Sequence, residues 1–411
     1  MNATSTAAVT QLGRSNATLA LCFCAAIIEG MDIQSMGIAA PGIGPEFHLS
    51  KQALGQVLTA SPLGLFIGAF IGGRCADVWG RKRALVMSMA VFGSFQLATA
   101  WASGFESLVA LRVLCGLGLG GAFPNLIALT AESSGGRNNI LNVVITAAGM
   151  PTGGALASTI GFLAGPSGDW RLVFYVGGIA PLLLAPVMAF ALPESNLFRK
   201  ARQPGSAAAR PGVLETLFQG SRARQTVLLW IAFFTTTLVV HLLLNWLPNL
   251  MLARGFTRPE AFFIQILFNV GAAAGSVGLG WLMQRRPSGS LLLACYGGLS
   301  ASLLLLAFLH HELALVAGVV AVVGATVLGA QFILYGLSPA YYRTAGRGTG
   351  TGAAVAASRL GSASGPFWAG LLLGAGASAN QVLQSLLPIT ATAAAAAVLL
   401  MLLPRPLDLS D

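Results

Sequence analysis

The segment Gly73-Arg74-Cys75-Ala76-Asp77-Val78-Trp79-Gly80-Arg81-Lys82-Arg83 joins two long apolar stretches, residues 54–76 and 83–103. Each stretch matches the roughly 20 apolar residues that a helix needs to cross the hydrocarbon core of a bilayer. The joining segment is short and basic, and basic loops of membrane proteins stay on the cytoplasmic side. The pattern predicts two membrane-spanning helices connected by a tight cytoplasmic turn.

The composition of the whole chain agrees with a membrane protein. Of its 411 residues, 55% are hydrophobic and only 9% are charged, whereas soluble domains carry about 25% charged residues. A soluble chain must cover itself with polar groups, and this one has too few. The net charge of +10 is also typical of nucleic-acid-binding proteins. Here the basic residues lie in short clusters between apolar stretches, so we expect a lipid bilayer and no nucleic acid as partner.

Twelve apolar stretches are long enough to span a bilayer. The longest polar stretch, residues 193–224, divides them into two sets of six. We therefore predict an all-α membrane protein of twelve transmembrane helices, with a six-helix bundle at 1–192, a linker at 193–224 and a second six-helix bundle at 225–411. The predicted spans are 19–40, 54–76, 83–103, 107–131, 139–164, 171–192, 225–250, 259–283, 289–309, 313–340, 347–375 and 380–403.

The distribution of Lys and Arg predicts the orientation. With both termini and the linker inside, 17 of the 23 basic residues face the cytoplasm and 4 face outward, while Arg112 and Arg359 lie within spans. This bias is the signature of positive-inside loops. We expect a multi-pass protein of the bacterial inner membrane with both termini cytoplasmic.

The turn at residues 73–83 has the features of a conformational gate. Gly73 and Gly80 permit close helix contact and a sharp turn, and Asp77 can cap the following helix or pair with arginines such as Arg81. The simpler alternative is a basic loop that only fixes orientation. A weaker copy, Gly280-Trp281-Leu282-Met283-Gln284-Arg285-Arg286, follows at an offset of 207 residues and has Gln284 in place of the Asp. The repetition predicts two pseudo-repeats around a central cavity.

Together with this turn, the pattern Arg112-x-x-x-Gly116-x-Gly118-x-Gly120 resembles the major facilitator superfamily. Glu29-Gly30-Met31-Asp32, Ala122-Phe123-Pro124-Asn125 and Arg359-Leu360-Gly361 look like its aromatic acid:proton symporter family. With Asn245-Trp246-Leu247-Pro248, the chain is most similar to transporters of 3-(3-hydroxyphenyl)propionate. That family usually begins its first helix with Asp-Gly-x-Asp, and Glu29 replaces the first Asp.

The resemblance implies proton-coupled import of an aromatic carboxylate such as 3-(3-hydroxyphenyl)propionate by alternating access. The proton would be the coupling ion, with no other cofactor and no metal, and the carrier would act as a monomer. Export of drugs or other organic anions, or import of a different organic acid, stays open as an alternative. The segment Gly149-Met150-Pro151-Thr152-Gly153-Gly154 resembles drug antiporters, but its Pro is displaced by one residue from their pattern.

Two other classes of protein are disfavoured. An enzyme would need a catalytic constellation, and the chain has no H-E-x-x-H, no G-x-S-x-G with partners and no nucleotide-binding loop. The last absence also argues against an ATP-driven pump. A receptor would bind its ligand without accumulating it, so transport assays separate it from a carrier.

Three charged residues within the first six spans are candidates for proton coupling. Glu29 and Asp32 lie well inside the first span, and Arg112 lies inside the fourth. At a rise of 1.5 Å per residue, Asp32 is about 12 Å and Arg112 about 8 Å from the outer helix ends, so the two can meet. Charges in the membrane are costly and tend to be functional. The alternative is a static ion pair.

Arg359 is the candidate for binding the substrate carboxylate. It lies about 18 Å into its span, near the midplane, and the second half has no acidic residue at that depth. A guanidinium binds a carboxylate through two parallel hydrogen bonds. Helix packing is the alternative role. The remaining candidate cavity residues are polar or aromatic, although such residues more often bond or pack between helices: Asn125, His241, Asn245, Trp246 and Gln331.

Overall fold

The computed structural model describes residues 3–133, 139–165, 167–195, 212–219, 222–283, 288–309, 311–342 and 347–403. Within these ranges all regular structure is helical. The helices are α1 (Ala3–Glu46), α2 (Lys51–Trp79), α3 (Arg81–Thr99), α4 (Phe105–Leu119), α5 (Ala122–Ser133), α6 (Asn139–Ala164), α7 (Leu172–Ala191), α8 (Val213–Phe218), α9 (Arg222–Ala253), α10 (Arg258–Met283), α11 (Ser288–Phe308), α12 (Leu313–Leu337), α13 (Arg347–Gly374) and α14 (Ala379–Leu402), with a 3-10 turn at Ser338–Tyr341.

Each predicted span coincides with a helix, except that residues 107–131 form two. Within the described residues, ten helical stretches are long and apolar enough to cross a membrane, with α4 and α5 counted together. The predicted spans at 83–103 and 347–375 fall outside this set, although both are long helices. Three basic residues begin α3, and α13 is rich in Gly, Ser and Thr. These residues lower the hydropathy of both helices.

The helices differ from the predicted bounds in three places. The fourth span is interrupted at Gly120 and Gly121, since glycine disfavours helix and both residues press against neighbouring helices. The first helix continues to Glu46, six residues beyond the prediction, despite Pro41 and Pro45. The predicted linker includes the short helix α8 and the start of α9, and residues 196–211, 220 and 221 lie outside the described residues.

The helices pack in two groups with the same internal pattern. In the first group α1 packs on α6, α2 on α4 and α3 on α7. In the second group α9 packs on α13, α10 on α12 and α11 on α14. When α4 and α5 are counted as one span, these pairs join the first and fifth, second and fourth, and third and sixth spans of each group.

The two groups meet through α1–α9, α2–α13 and α6–α10. We call the helix ends beside residues 193–224 the linker side and the opposite ends the far side. Close approaches between the groups lie toward the far side: a Cβ added to Gly55 would lie 2.7 Å from the Cα of Gly370, and one on Gly37 would lie 2.8 Å from the Cα of Asn245. On the linker side, added Cβ atoms at Gly348 and Gly352 meet nothing within 4 Å. The groups are therefore in tight contact on the far side.

Candidate functional site

A cavity lies between the two helix groups. Its wall is mostly apolar and includes the rings of Phe123, Phe332 and Tyr335. The polar side chains of the wall, besides the Tyr335 hydroxyl, are those of Gln34, His241, Asn269, Gln331 and Arg359.

Asp32 and Arg112, which the sequence analysis expected to be able to meet, form a buried ion pair. The Arg112 Nη1 atom lies 3.2 Å from Asp32 Oδ1, and Nη2 lies 3.4 Å from Oδ2. Both side chains are almost fully excluded from the surface, with 1% and 0% exposure. A buried pair of this kind costs desolvation energy and is stable only when further hydrogen bonds support it.

Gln96 and Cys115 provide that support, and the sequence analysis did not identify them. Arg112 Nη1 also donates to Gln96 Oε1, and the amide nitrogen of Gln96 donates to Ser35 Oγ at 2.9 Å. The Cys115 thiol donates to Asp32 Oδ1 at 3.2 Å. The one available signal was a glutamine within an otherwise apolar span, since a buried amide needs partners.

Glu29 lies one helical turn before Asp32 and has a different environment. Its side chain is fully buried, and neither carboxyl oxygen has a hydrogen-bond partner within the part of the chain that the structure describes. Its electrostatic partners are Arg359, which attracts it, and Asp32, which repels it. An ionised carboxylate without hydrogen bonds is costly in such a place.

Arg359 lines the cavity from α13. Its Nε atom is buried without a hydrogen-bond partner, and no acidic side chain of the described ranges lies within ion-pair distance of it. Its charge acts on Glu29 of the first group and on His241. The second half has no acid at the depth of Arg359, and the acid that its charge influences comes from the first half.

The other candidate substrate residues separate into two sets. His241 and Gln331 line the cavity with Arg359. His241 and Asn245 line a smaller neighbouring cavity that reaches Arg112. Trp246 is fully buried and donates to the Pro366 carbonyl at 3.0 Å, which is a packing contact.

Asn125 and Asn245 both bond the backbone carbonyl four residues earlier, and both stand outside the wall of the central cavity. Asn125 donates to the Gly121 carbonyl at 2.7 Å, and Asn245 donates to the His241 carbonyl at 2.9 Å. Amide and hydroxyl side chains often bond the preceding turn in this way. A polar residue in a span therefore does not by itself indicate the cavity wall.

Three buried amides that the sequence did not single out form a hydrogen-bonded cluster, and two of them, Gln34 and Asn269, line the cavity. Gln34 Nε2 donates to Asn269 Oδ1 at 2.7 Å, and Asn269 Nδ2 donates back to Gln34 Oε1 at 2.9 Å. Gln265 Nε2 donates to the same Gln34 oxygen at 2.9 Å. The Gln34–Asn269 pair fits because Gly154 has no side chain, since a Cβ there would lie 2.6 Å from Asn269 Oδ1. The i, i+4 spacing of Gln265 and Asn269 was the only sequence signal.

The turn at residues 73–83 is held by residues from two other helix ends. Gly80 has φ +99°, a conformation that favours glycine. Arg81 pairs with Glu132, which also accepts from Ser195 Oγ at 2.8 Å. Glu194 accepts from the backbone nitrogen of Lys82 at 3.1 Å. The turn therefore ties α3 to the ends of α5 and α7.

Two expectations about this turn need correction. Asp77 is exposed and makes neither an ion pair nor a capping hydrogen bond with any described residue, since Glu194 caps α3 instead. A Cβ at Gly73 would meet nothing within 4 Å, whereas Gly72 packs directly against Gly121. The close helix contact is thus one residue earlier than predicted. Gln284 of the weaker copy lies outside the described residues.

The family model of the Major Facilitator Superfamily matches residues 22–366. The chain belongs to this superfamily. It is therefore a multi-pass membrane transporter, and its all-helical architecture is of the superfamily type. The resemblance stated from the motifs at Arg112 and at residues 73–83 is confirmed.

Named relatives in the superfamily handle aromatic acids. The chain is 44% identical over 385 residues to the 3-(3-hydroxy-phenyl)propionate transporter of Escherichia coli K12, covering 93% of each chain. It is 33% identical over 402 residues to the 4-hydroxybenzoate transporter PcaK of Pseudomonas putida, covering 91% of this chain and 89% of that one. The crystal structure of a D-xylose-proton symporter has the same fold, with a TM-score of 0.75 at 17% identity, covering 94% of this chain and 97% of that one.

Proposed function

We propose that the chain imports an aromatic carboxylate such as 3-(3-hydroxyphenyl)propionate together with protons, by alternating access. The observation that carries this proposal is the cavity between the helix groups. It is lined by Arg359, which forms no ion pair with any described residue and interacts electrostatically with the buried acid Glu29. The 44% identity to a transporter of that substrate supports it. The protein acts as a carrier with the proton as its coupling ion, without catalysis and without another cofactor.

The proposed architecture is twelve spans in two six-helix halves that rock around the cavity. The equivalent pairing of helices within the two groups supports the two-half repeat. The basic linker side faces the cytoplasm of a bacterial cell, which puts both termini and residues 193–224 inside. Tight contact between the groups on the far side fits a carrier that is closed to the outside. We take the functional unit to be a monomer.

In this proposal Arg359 binds the substrate carboxylate. Its guanidinium offers two parallel donors, and its buried Nε atom has no hydrogen-bond acceptor among the described residues. The substrate ring then occupies the mostly apolar cavity.

Glu29 is the proposed proton carrier. In the empty cavity the charge of Arg359 favours the ionised form of Glu29. A bound carboxylate occupies Arg359, and Glu29 then loses its countercharge while Asp32 continues to repel it. Taking up a proton removes the energetic cost of leaving a buried carboxylate charged without a countercharge. The Asp32–Arg112 ion pair is held in place by Gln96 and Cys115. In this proposal the pair determines the electrostatic field around Glu29, and Asp32 is the second acidic group of the proton pathway.

The test is uptake into proteoliposomes under an imposed pH gradient, with a panel of aromatic acids. We expect accumulation that follows the inward proton gradient and stops when a protonophore collapses it. Acid-dependent release without uptake would assign the protein to export, and binding without accumulation would assign it to a receptor. Accumulation of unrelated organic acids in preference to aromatic ones would refute the proposed substrate class.

A further inference from the structure

The amide cluster of Gln34, Gln265 and Asn269 is not used by the proposed binding of carboxylate and proton. It joins the two helix groups directly, because Gln34 belongs to α1 and the other two residues belong to α10. All three side chains are at most 2% exposed. Gln34 and Asn269 nevertheless form part of the cavity wall, so a ligand in the cavity touches them.

The cluster lies beyond Arg359 on the way to the far side. Asn269 is 11 residues from the far-side end of α10, and Arg359 is 15 residues from the far-side end of α13. At a rise of 1.5 Å per residue, the amides lie about 6 Å closer to the far side. Gln331 is only six residues from the linker-side end of α12, so it lies on the other side of Arg359. A substrate held by its carboxylate can therefore direct its ring toward the amides.

The chemistry of the cluster suits a hydroxyl group. A phenolic hydroxyl donates one hydrogen bond and accepts others, and side-chain amides offer both donors and acceptors. Arg359 offers only donors, which suits a carboxylate. Within the cluster, Gln265 Oε1 is buried and has no donor from any described residue. A ligand O–H that enters the network supplies the missing donor, either directly or by rearrangement of Gln34.

We propose that Gln34, Gln265 and Asn269 form the specificity site for a hydroxyl group on the substrate ring. The proposal rests on the proposed function, since it takes Arg359 as the carboxylate site. The amides then determine which aromatic acid is preferred, and Arg359 determines that it is an acid. Because the same amides connect the two halves, a bound hydroxyl enters the contact that must rearrange when the far side opens.

The experiment compares binding of 3-(3-hydroxyphenyl)propionate, 3-phenylpropionate and the carboxamide of the first compound to purified protein. The wild type should prefer the hydroxylated acid over 3-phenylpropionate. In Asn269→Leu this preference should fall by about 3- to 10-fold, the value of one net hydrogen bond. Preference for the acid over its carboxamide should not change, because Arg359 is intact. Gln265→Met should also lower the hydroxyl preference, and it leaves the reciprocal Gln34–Asn269 pair in place.

The matched control is Ser276→Ala, on the same helix. The Ser276 hydroxyl is buried and donates to the Ala272 carbonyl of its own helix, so the substitution should leave both preferences at their wild-type values. If Asn269→Leu fails to reach the membrane, Gln265→Met decides the question. An unchanged hydroxyl preference in folded variants would refute the specificity site. Absence of binding for every aromatic acid in the wild type would instead refute the proposed function, and the specificity site with it.

Discussion

Replacing Arg359 by alanine should remove most of the affinity for the acid while sparing its neutral analogue. Arg359 is only partly buried and lines a cavity that water reaches. Removing one partner of a hydrogen-bonded charge pair costs about 2–5 kcal/mol of binding free energy. Because Arg359 is partly exposed, we expect a loss at the lower end of this range. A loss of 2–3 kcal/mol corresponds to a decrease in affinity of roughly 30- to 150-fold.

The assay is competition by the acid and by its carboxamide against labelled substrate. In the wild type the acid should be strongly preferred, and in Arg359→Ala the two compounds should compete almost equally. Arg359→Lys keeps the charge but loses the two parallel donors, so its acid preference should be intermediate. Arg347→Ala is the control, because this residue begins the same helix on the linker side and is exposed. A wild-type ratio of acid to carboxamide in Arg359→Ala would show that the carboxylate is bound elsewhere.

Three further outcomes are expected. Glu29→Gln should lose accumulation driven by a pH gradient but keep exchange of internal for external substrate, since exchange moves no net proton; uphill uptake in proteoliposomes would contradict this. Asp32→Asn leaves Arg112 charged and unpaired, which should lower the free energy of unfolding by about 3–5 kcal/mol, as measured by thermal unfolding in detergent. The double variant Asp32→Asn with Arg112→Gln should recover part of this loss. A cysteine at Val213 should react with an impermeant thiol reagent only from the cytoplasm and one at His311 only from outside; the reverse result would invert the topology.

The sequence predicted the spans well because the hydropathy of a span is averaged over about 20 residues, so errors at single positions have little effect. It also indicated that Asp32 and Arg112 can meet, because both are charged residues within spans of the first half, where charges are costly unless paired. Depth, however, does not specify which side of a helix faces the cavity. Asn125 and Asn245 lie within predicted spans, yet each amide bonds the backbone carbonyl four residues earlier.

The missed features depend on how the two halves meet. The partner of Gln34 is Asn269, 235 residues away, and no local pattern indicates that α1 and α10 touch at that level. The same holds for Glu29 and Arg359, which belong to different halves. For the turn at residues 73–83, the composition predicted a sharp bend at Gly80, but the capping acid, Glu194, comes from the end of a distant helix.

In the proposed mechanism, charge balance across the two halves explains why proton and substrate move together. Deep within its spans, the first half contains the compensated pair of Asp32 with Arg112 and the acid Glu29, which has no hydrogen bond to any described residue. The second half contributes Arg359. With the cavity empty, the charge of Arg359 favours the ionised form of Glu29.

A bound carboxylate changes that balance. If it occupies Arg359 while Glu29 stays ionised, two anions share one cation inside an apolar wall, which is costly. If Glu29 takes a proton while the cavity is empty, Arg359 is left uncompensated, which is also costly. Only two loadings avoid an uncompensated charge: proton and carboxylate both bound, or both absent. Because the carrier rearranges most readily in these two states, we expect one proton to move with each carboxylate.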